Sequence, residues 1–299
     1  MRQLDAIKGA STNIVLRELD QSSFDSVNVF GTDLAGELSI SLFSKQVNFF
    51  PEPALGHTPN KTQYFQASGI PSTWRFTTAT HDGLETDLQV NIIAPTQLYP
   101  PPTQSSLRPR VLHEVFPHDF VSSGLHETAK FPERNWTSDI MSAVNDPHKY
   151  DQQDRYVTSK AVGLIWSREL ASRVSNADII INSTNPGFCK TGAHAKYGRF
   201  LEYMVKLMEV MLARSTADGA RCQVDAAMVK GAETHGKYLS QMSVKQESAM
   251  VGGSEGRELN GKLRSEIATL SKDKAGLKDI MIHGCRIDAN VRIWRNGAL

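Results

Sequence analysis

The sequence predicts an α/β fold built on a doubly wound, mostly parallel sheet. Three observations lead there. A β-branched run, Asp178–Asn182, follows directly on a segment with helical spacing. Asn13–Leu19 reads as a strand, with a short helix, Ser23–Phe30, behind it. Further helical segments then continue the alternation, and strands alternating with helices close into parallel sheets.

Taken in chain order, the first helix has Ser22 or Ser23 available as its cap. Residues 31–66 are irregular, with Pro51, Pro53 and Pro59 and the polar run Asn60-Lys61-Thr62-Gln63. Residues 95–120 carry Pro95, Pro100, Pro101, Pro102, Pro109 and Pro117, a density that forbids continuous helix or a central strand. Beyond residue 150 the chain is regular. Asp154–Arg173 places Val157, Ala161, Leu164, Ile165 and Leu170 at helical spacing. The strand Asp178–Asn182 ends at the turn signal Asn185-Pro186-Gly187. Arg199–Ala213, Asp218–Lys230 and Gly256–Leu270 read as three more helices. One domain is expected over 1–275, with irregular insertions near 31–66 and 95–120, and a C-terminal extension over 276–299.

Composition narrows the function. Lys plus Arg is 33 and Asp plus Glu is 32, so the net charge of +1 argues against a dedicated nucleic-acid or anionic-membrane surface. A chain of 299 residues can bury a core without disulfide or metal staples. Cys189, Cys222 and Cys285 are far apart and form no CxxC pair, which fits a reducing compartment. There is no signal-peptide pattern and no run of 18 apolar residues, so a cytoplasmic protein with no membrane partner is expected. His113, Glu114, His118, Asp119 and His126 match no zinc spacing, and no metal is expected. No GxSxG elbow supports a serine hydrolase.

The most informative segment is Tyr156-Val157-Thr158-Ser159-Lys160. Residues four apart share one helix face, so Tyr156 and Lys160 can project into one cleft. A free phenol has a pKa near about 10, and a nearby ammonium lowers it, which lets a tyrosine move a proton to or from a carbinol or carbonyl oxygen. Upstream lie Val121-Ser122-Ser123 and the segment Asp82-Gly83-Leu84-Glu85 through Val90-Asn91; downstream lies Asn185-Pro186-Gly187-Phe188-Cys189-Lys190-Thr191.

In these motifs the sequence resembles the short-chain dehydrogenase/reductase family, and within it a retinol-dehydrogenase-like branch common in fungal secondary metabolism. The resemblance implies a Rossmann-like fold and an NADP(H)-dependent oxidoreductase that interconverts an alcohol and a ketone, with NAD as the alternative cofactor. It implies that Tyr156 is the proton donor or acceptor, that Lys160 lowers its pKa and holds the nicotinamide ribose, that Ser123 binds the substrate oxygen, and that Asn91 holds a water of the proton relay. Asp20 matches a strand-end contact to the adenine region, and Pro186, Cys189 and Thr191 border the nicotinamide. The partner implied is a small-molecule alcohol or ketone, with a second copy of the chain allowed.

The sequence also departs from the family pattern. The glycine-rich phosphate turn after a first strand is absent, so the chain reads as truncated at its N-terminus. Gly252-Gly253-Ser254-Glu255-Gly256 follows no strand and falls where the family starts a C-terminal helix. Ala67-Ser68-Gly69 stands where the family has Asn-Ala-Gly. Glycine amides and a helix N-terminus normally hold the pyrophosphate, and without them weak cofactor binding is expected. A catalytically inactive relative is the alternative function.

Overall fold

The computed structural model describes residues 19–29, 41–42, 63–66, 80, 82–97, 116–135, 139–173, 175–176, 179–190 and 210–275. Six strands run across one sheet in chain order: β1 Ser41–Leu42, β2 Gln63–Gln66, β3 Phe116–Val121, β4 Ile179–Asn185, β5 Tyr238–Ser240 and β6 Ser243–Lys245. The first five are parallel, and β6 returns antiparallel to β5. This is the Rossmann-like α/β architecture that the alternation predicts. The segment 13–18 of the expected first strand lies outside the described residues, as do the segments 1–18 and 276–299.

The helices are α1 at 24–29, α2 at Thr86–Gln97, α3 Ile140–Val144, α4 Arg155–Arg173, α5 Thr216–Val224, α6 Ala249–Gly252 and α7 Ser254–Ala275. The glycine cluster 252–256 thus joins two helices, as its position implied. Of the expected helix Arg199–Ala213, only residues 210–213 are described, and 210–212 are helical. Among the described residues no helix is long and apolar enough to cross a membrane.

The apolar stripe of α4 does what its spacing predicts. Val157, Ala161, Leu164 and Ile165 are buried. Ala161, Leu164 and Ile165 join a core that includes Leu88 and Ile92 of α2 and Leu263 and Ile267 of α7. Helices cover both faces of β4. Ser183 faces α4, where its Oγ shares a 2.7 Å hydrogen bond with Ser167 Oγ. The neighbouring Asn182 points the other way and donates to the Ala226 carbonyl, 3.0 Å, just beyond α5. Alternation along a strand forces this division.

Two proline-rich regions behave differently from expectation. The stretch 31–66 was expected outside the sheet, yet it supplies β1 and β2, with Tyr64 opposite His118 and Phe65 opposite Asp119. The stretch 95–120 supplies β3, paired on both sides despite Pro117. Registered pairing with β2 begins only at His118, so Pro117 has a neighbour on the β4 side alone. A residue without an N–H is tolerated where one side of the strand is open. Strand β4 also runs further than its apolar part. Its polar half, Ser183-Thr184-Asn185, is buried because each side chain finds a partner. The β5–β6 hairpin turns on Gln241 and Met242, both at positive φ (54° and 65°), the backbone of a two-residue turn that matches strand twist.

Candidate active site

The carboxyl ends of β3, β4 and β5 lie side by side at one edge of the sheet, the place where open α/β sheets bind ligands. Three structural features build a site there.

The first is α2. Glu85 caps it, its carboxylate accepting from the N–H groups of Asp87 (3.0 Å) and Leu88 (2.9 Å). The Asp82-Gly83 turn ahead of it needs glycine, since Gly83 sits at φ +73°. Asp82 then ties this turn to α1 by accepting from Phe24 N–H at 2.8 Å. Within the helix, residues Gln89–Ile93 form a π-helical turn. Pro95 has no N–H to offer the Asn91 carbonyl four residues earlier, and a wider turn accommodates that loss. Asn91 is therefore helical and buried. Its Nδ2 donates to Ser159 Oγ (3.0 Å) and Asp87 Oδ1 (3.2 Å). Its Oδ1 is buried and has no hydrogen-bond partner among the described residues.

The second feature is α4. Tyr156 and Lys160 share one face, and Lys160 Nζ lies 5.8 Å from the centroid of the Tyr156 ring. Lys160 is buried, and Nζ donates to the Val121 carbonyl at 3.0 Å, on the last residue of β3. Burial pushes the Lys160 pKa down to about 8, while the charge of Asp87 pulls it upward. Ser159 Oγ donates to the Tyr156 carbonyl, 2.7 Å, and accepts from Asn91, so it links α4 to α2.

The third is the segment that follows β3. Ser122 is pinned by its N–H to the Thr184 carbonyl (2.8 Å), and its buried Oγ has no partner among the described residues. Ser123 is half-buried and caps the 3₁₀ turn Gly124–Thr128, its Oγ accepting from Leu125 N–H at 3.2 Å. His126 closes the turn from behind. Its Nδ1 donates to the Ser123 carbonyl (2.8 Å), and its Nε2 accepts from the Ser248 N–H (3.3 Å). The ring also meets Tyr238 edge-on, with centroids 5.0 Å apart. The structure thus brings Lys160, Asn91 and the strand end that carries Ser123 together through direct or one-residue links.

Beyond β4, Asn185 Oδ1 accepts from the Gly187 N–H at 3.0 Å, and Gly187 takes φ +84°. Pro186 and Cys189 are half-buried in this loop, which is latched to Arg214 by two backbone hydrogen bonds, Arg214 N–H to the Phe188 carbonyl (2.8 Å) and Lys190 N–H to the Arg214 carbonyl (3.0 Å). Burial raises the Cys189 thiol pKa, so this cysteine sits as a neutral thiol. Thr191 lies outside the described residues. Asp20 lies in a turn of its own, where its carboxylate accepts from Ser22 N–H (3.0 Å) and Oγ (2.7 Å).

The chain is similar to known proteins. A short chain dehydrogenase of Gibberella zeae is 28% identical over 275 residues, 89% of this chain and 75% of that protein. A short-chain dehydrogenase/reductase of Phaeosphaeria nodorum is 25% identical over 94% of this chain and 80% of its own length. Over most of its length the chain is thus similar to fungal short-chain dehydrogenases/reductases. A short chain dehydrogenase of Emericella nidulans is 36% identical over 139 residues, and that match spans less than half of either protein, 46% of this chain and 42% of the relative. The fold is shared with a structurally solved, uncharacterised protein of Mycobacterium paratuberculosis, at 16% identity and a TM-score of 0.53 over 91% of this chain and 81% of that one. No family model matches the chain.

Sequence reasoning missed a layer of buried charge beside this site. Arg155 and Glu133 are both buried and pair at 3.3 Å, and the guanidinium lies 5.5 Å from the centroid of the Tyr150 ring. Burial, and then the charges of Asp87 and Glu85, push the Tyr150 pKa well above the ordinary phenol range. Asp87 was legible as a residue four before Asn91 on one helix face. Glu133 carried no such signal, because its partner is 22 residues away across a loop. Among the described residues no group of three metal-ligating side chains forms. His113 and Glu114 lie outside them, and both nitrogens of His126 are already engaged in hydrogen bonds within the fold.

Proposed function

We propose that the chain is an NADP(H)-dependent oxidoreductase that interconverts an alcohol and a ketone. One observation carries this reading: the Lys160 ammonium donates to the last residue of β3 while lying beside the Tyr156 ring. That supports a proton-transfer pair at the carboxyl end of the sheet. The residues present fit the nicotinamide end of such a cofactor. Lys160 is a buried cation, Asn91 Oδ1 is a buried acceptor with no partner among the described residues, and the Pro186-Gly187 turn borders the same edge.

A bound nicotinamide supplies or accepts the hydride at the carbon centre. Tyr156 gives its hydroxyl proton to the carbonyl oxygen in reduction and takes it back in oxidation. Lys160 favours the phenolate by its charge and holds the ribose. Ser123 donates to the substrate oxygen, and Asn91 holds a water that returns protons to the pair. Pro186 and Cys189 would border the nicotinamide, as the resemblance implies for Thr191 too, and Asp20 would contact the adenine region. NADP is preferred to NAD because the retinol-dehydrogenase-like branch mostly uses it. A role in fungal secondary metabolism fits the fungal relatives.

The test is NADPH consumption by the purified chain across a panel of ketones and aldehydes. Turnover is expected for at least one carbonyl, and Tyr156→Phe should lower it by about 10²- to 10⁴-fold, the usual contribution of a positioned proton donor. Unchanged turnover in Tyr156→Phe refutes the assignment. No turnover with either NADPH or NADH favours the catalytically inactive reading.

A further inference from the structure

Asn185 closes β4 and is 9% exposed. Both polar atoms of its side chain are engaged. Oδ1 accepts from the Gly187 N–H at 3.0 Å, inside the turn that borders the proposed nicotinamide site. Nδ2 donates at 3.2 Å to the Oγ of Ser240, its ladder partner on β5. An amide whose oxygen must accept from an N–H has only one orientation. The same Nδ2 also lies against the residue that follows Ser123. A Cβ on Gly124 would stand 3.1 Å from Asn185 Nδ2 and 3.8 Å from the Tyr238 hydroxyl. Gly124 is not among the glycines at positive φ, so its backbone does not require glycine; the space beside Asn185 does. Tyr238 in turn meets the ring of His126, which holds the Ser123 carbonyl. One planar side chain therefore touches two walls of the site, the Ser123-Gly124 turn and the Pro186-Gly187 turn.

We propose that Asn185 is a positioning residue whose amide fixes the separation of these two walls. The inference rests on the oxidoreductase reading, in which Ser123 binds the substrate oxygen and the Pro186-Gly187 turn borders the cofactor. Under that reading the amide sets how far the substrate oxygen stands from the nicotinamide. A misplacement of about 1 Å between reacting groups can cost about 10²-fold in rate. Asn185 also makes the walls move as one. A group that displaces Nδ2 at Gly124 displaces Oδ1, the acceptor of the Gly187 N–H, because both atoms belong to one rigid plane.

The experiment reads the Gly187 amide by NMR of the full chain. Pro186-Gly187 is the only Pro-Gly step in the sequence, so ¹³C-carbonyl proline combined with ¹⁵N-glycine selects that one amide. In Asn185→Ala the amide loses its acceptor, and its exchange with solvent should quicken about tenfold, the weight of one hydrogen bond. Gly124→Ala pushes a methyl group against Nδ2 and should move the same Gly187 signal from the opposite wall. In the double variant the methyl group has room, so Gly187 should match the single Asn185→Ala variant. A Gly187 signal identical in wild type and folded Gly124→Ala overturns the proposal. Should Gly124→Ala not fold, Asn185→Ala is read from the other wall. The sequence holds two Ser-Gly steps, 68–69 and 123–124, and one of their amides should shift; two unmoved signals refute the link. None of these readouts needs cofactor or substrate, so a chain without turnover defeats the oxidoreductase reading and leaves the link standing. In an active enzyme, Asn185→Ala and Gly124→Ala should each lower kcat by about 10- to 100-fold, with the KM for NADPH changed by less than about threefold. The double variant should be no slower than the slower single one. Losses that multiply, or an unchanged kcat beside a moved Gly187 signal, refute the positioning role.

Discussion

Asp119, on β3, gives the clearest pH-dependent prediction for stability. Its side chain is 1% exposed; Oδ1 accepts from Thr184 Oγ1 at 2.6 Å, and Oδ2 has no partner among the described residues. Burial raises its pKa from 3.8 to about 7, against the lowering effect of the Thr184 bond. A carboxyl with a raised folded-state pKa holds its proton better folded than unfolded. Its stabilising contribution is complete below the unfolded pKa, erodes as pH rises, and is gone once pH passes the folded pKa. Between about pH 5 and about pH 8 the loss amounts to roughly 2–3 kcal/mol, by linkage at about 1.4 kcal/mol per unit. Asp119→Asn removes the ionisation and keeps an acceptor for Thr184. Urea unfolding at both pH values should therefore show wild type losing roughly 2–3 kcal/mol more than the variant across that interval. Parallel losses in the two proteins would refute the argument, because the strain would then lie in another group.

Three further outcomes follow from the packing. Glu133→Gln leaves the buried Arg155 guanidinium without its paired charge and should lower unfolding stability by about 3 kcal/mol, with most of that loss recovered in Glu133→Gln/Arg155→Met, measured by the same urea titration. Gly219→Ala would place a Cβ 2.5 Å from Cys189 Sγ, so it should cost about 1–3 kcal/mol and be relieved in the double variant with Cys189→Ala, a coupling that a thermal-melt mutant cycle reads. Met242→Gly relieves a positive-φ position of the β5–β6 turn and should raise the melting midpoint, with a gain of roughly 0.5–1 kcal/mol; an unchanged midpoint would mean that the turn carries no strain.

Local features of the chain determined the parts of the fold whose stabilisation is local. The spacing of Val157, Ala161, Leu164 and Ile165 specified α4 almost to the residue, because an apolar stripe at helical period has one way to be buried. The same helix phase put Tyr156 and Lys160 on one face. The tertiary structure decided everything that depends on partners distant in the chain. Gln63–Gln66 is a strand because β3 offers it a ladder, a fact absent from its own composition. Pro117 enters the sheet because registered pairing with β2 begins only at His118, leaving its pairing to β4. The polar end of β4 stays buried because Ser167, Asp119 and Ser240 arrive from three other elements. The charge layer of Asp87, Arg155, Glu133 and Lys160 exists only once α2, α4 and the 3₁₀ turn carrying Glu133 pack together. Burial, which no single segment encodes, removes the water that would have screened those charges and makes their mutual balance decisive.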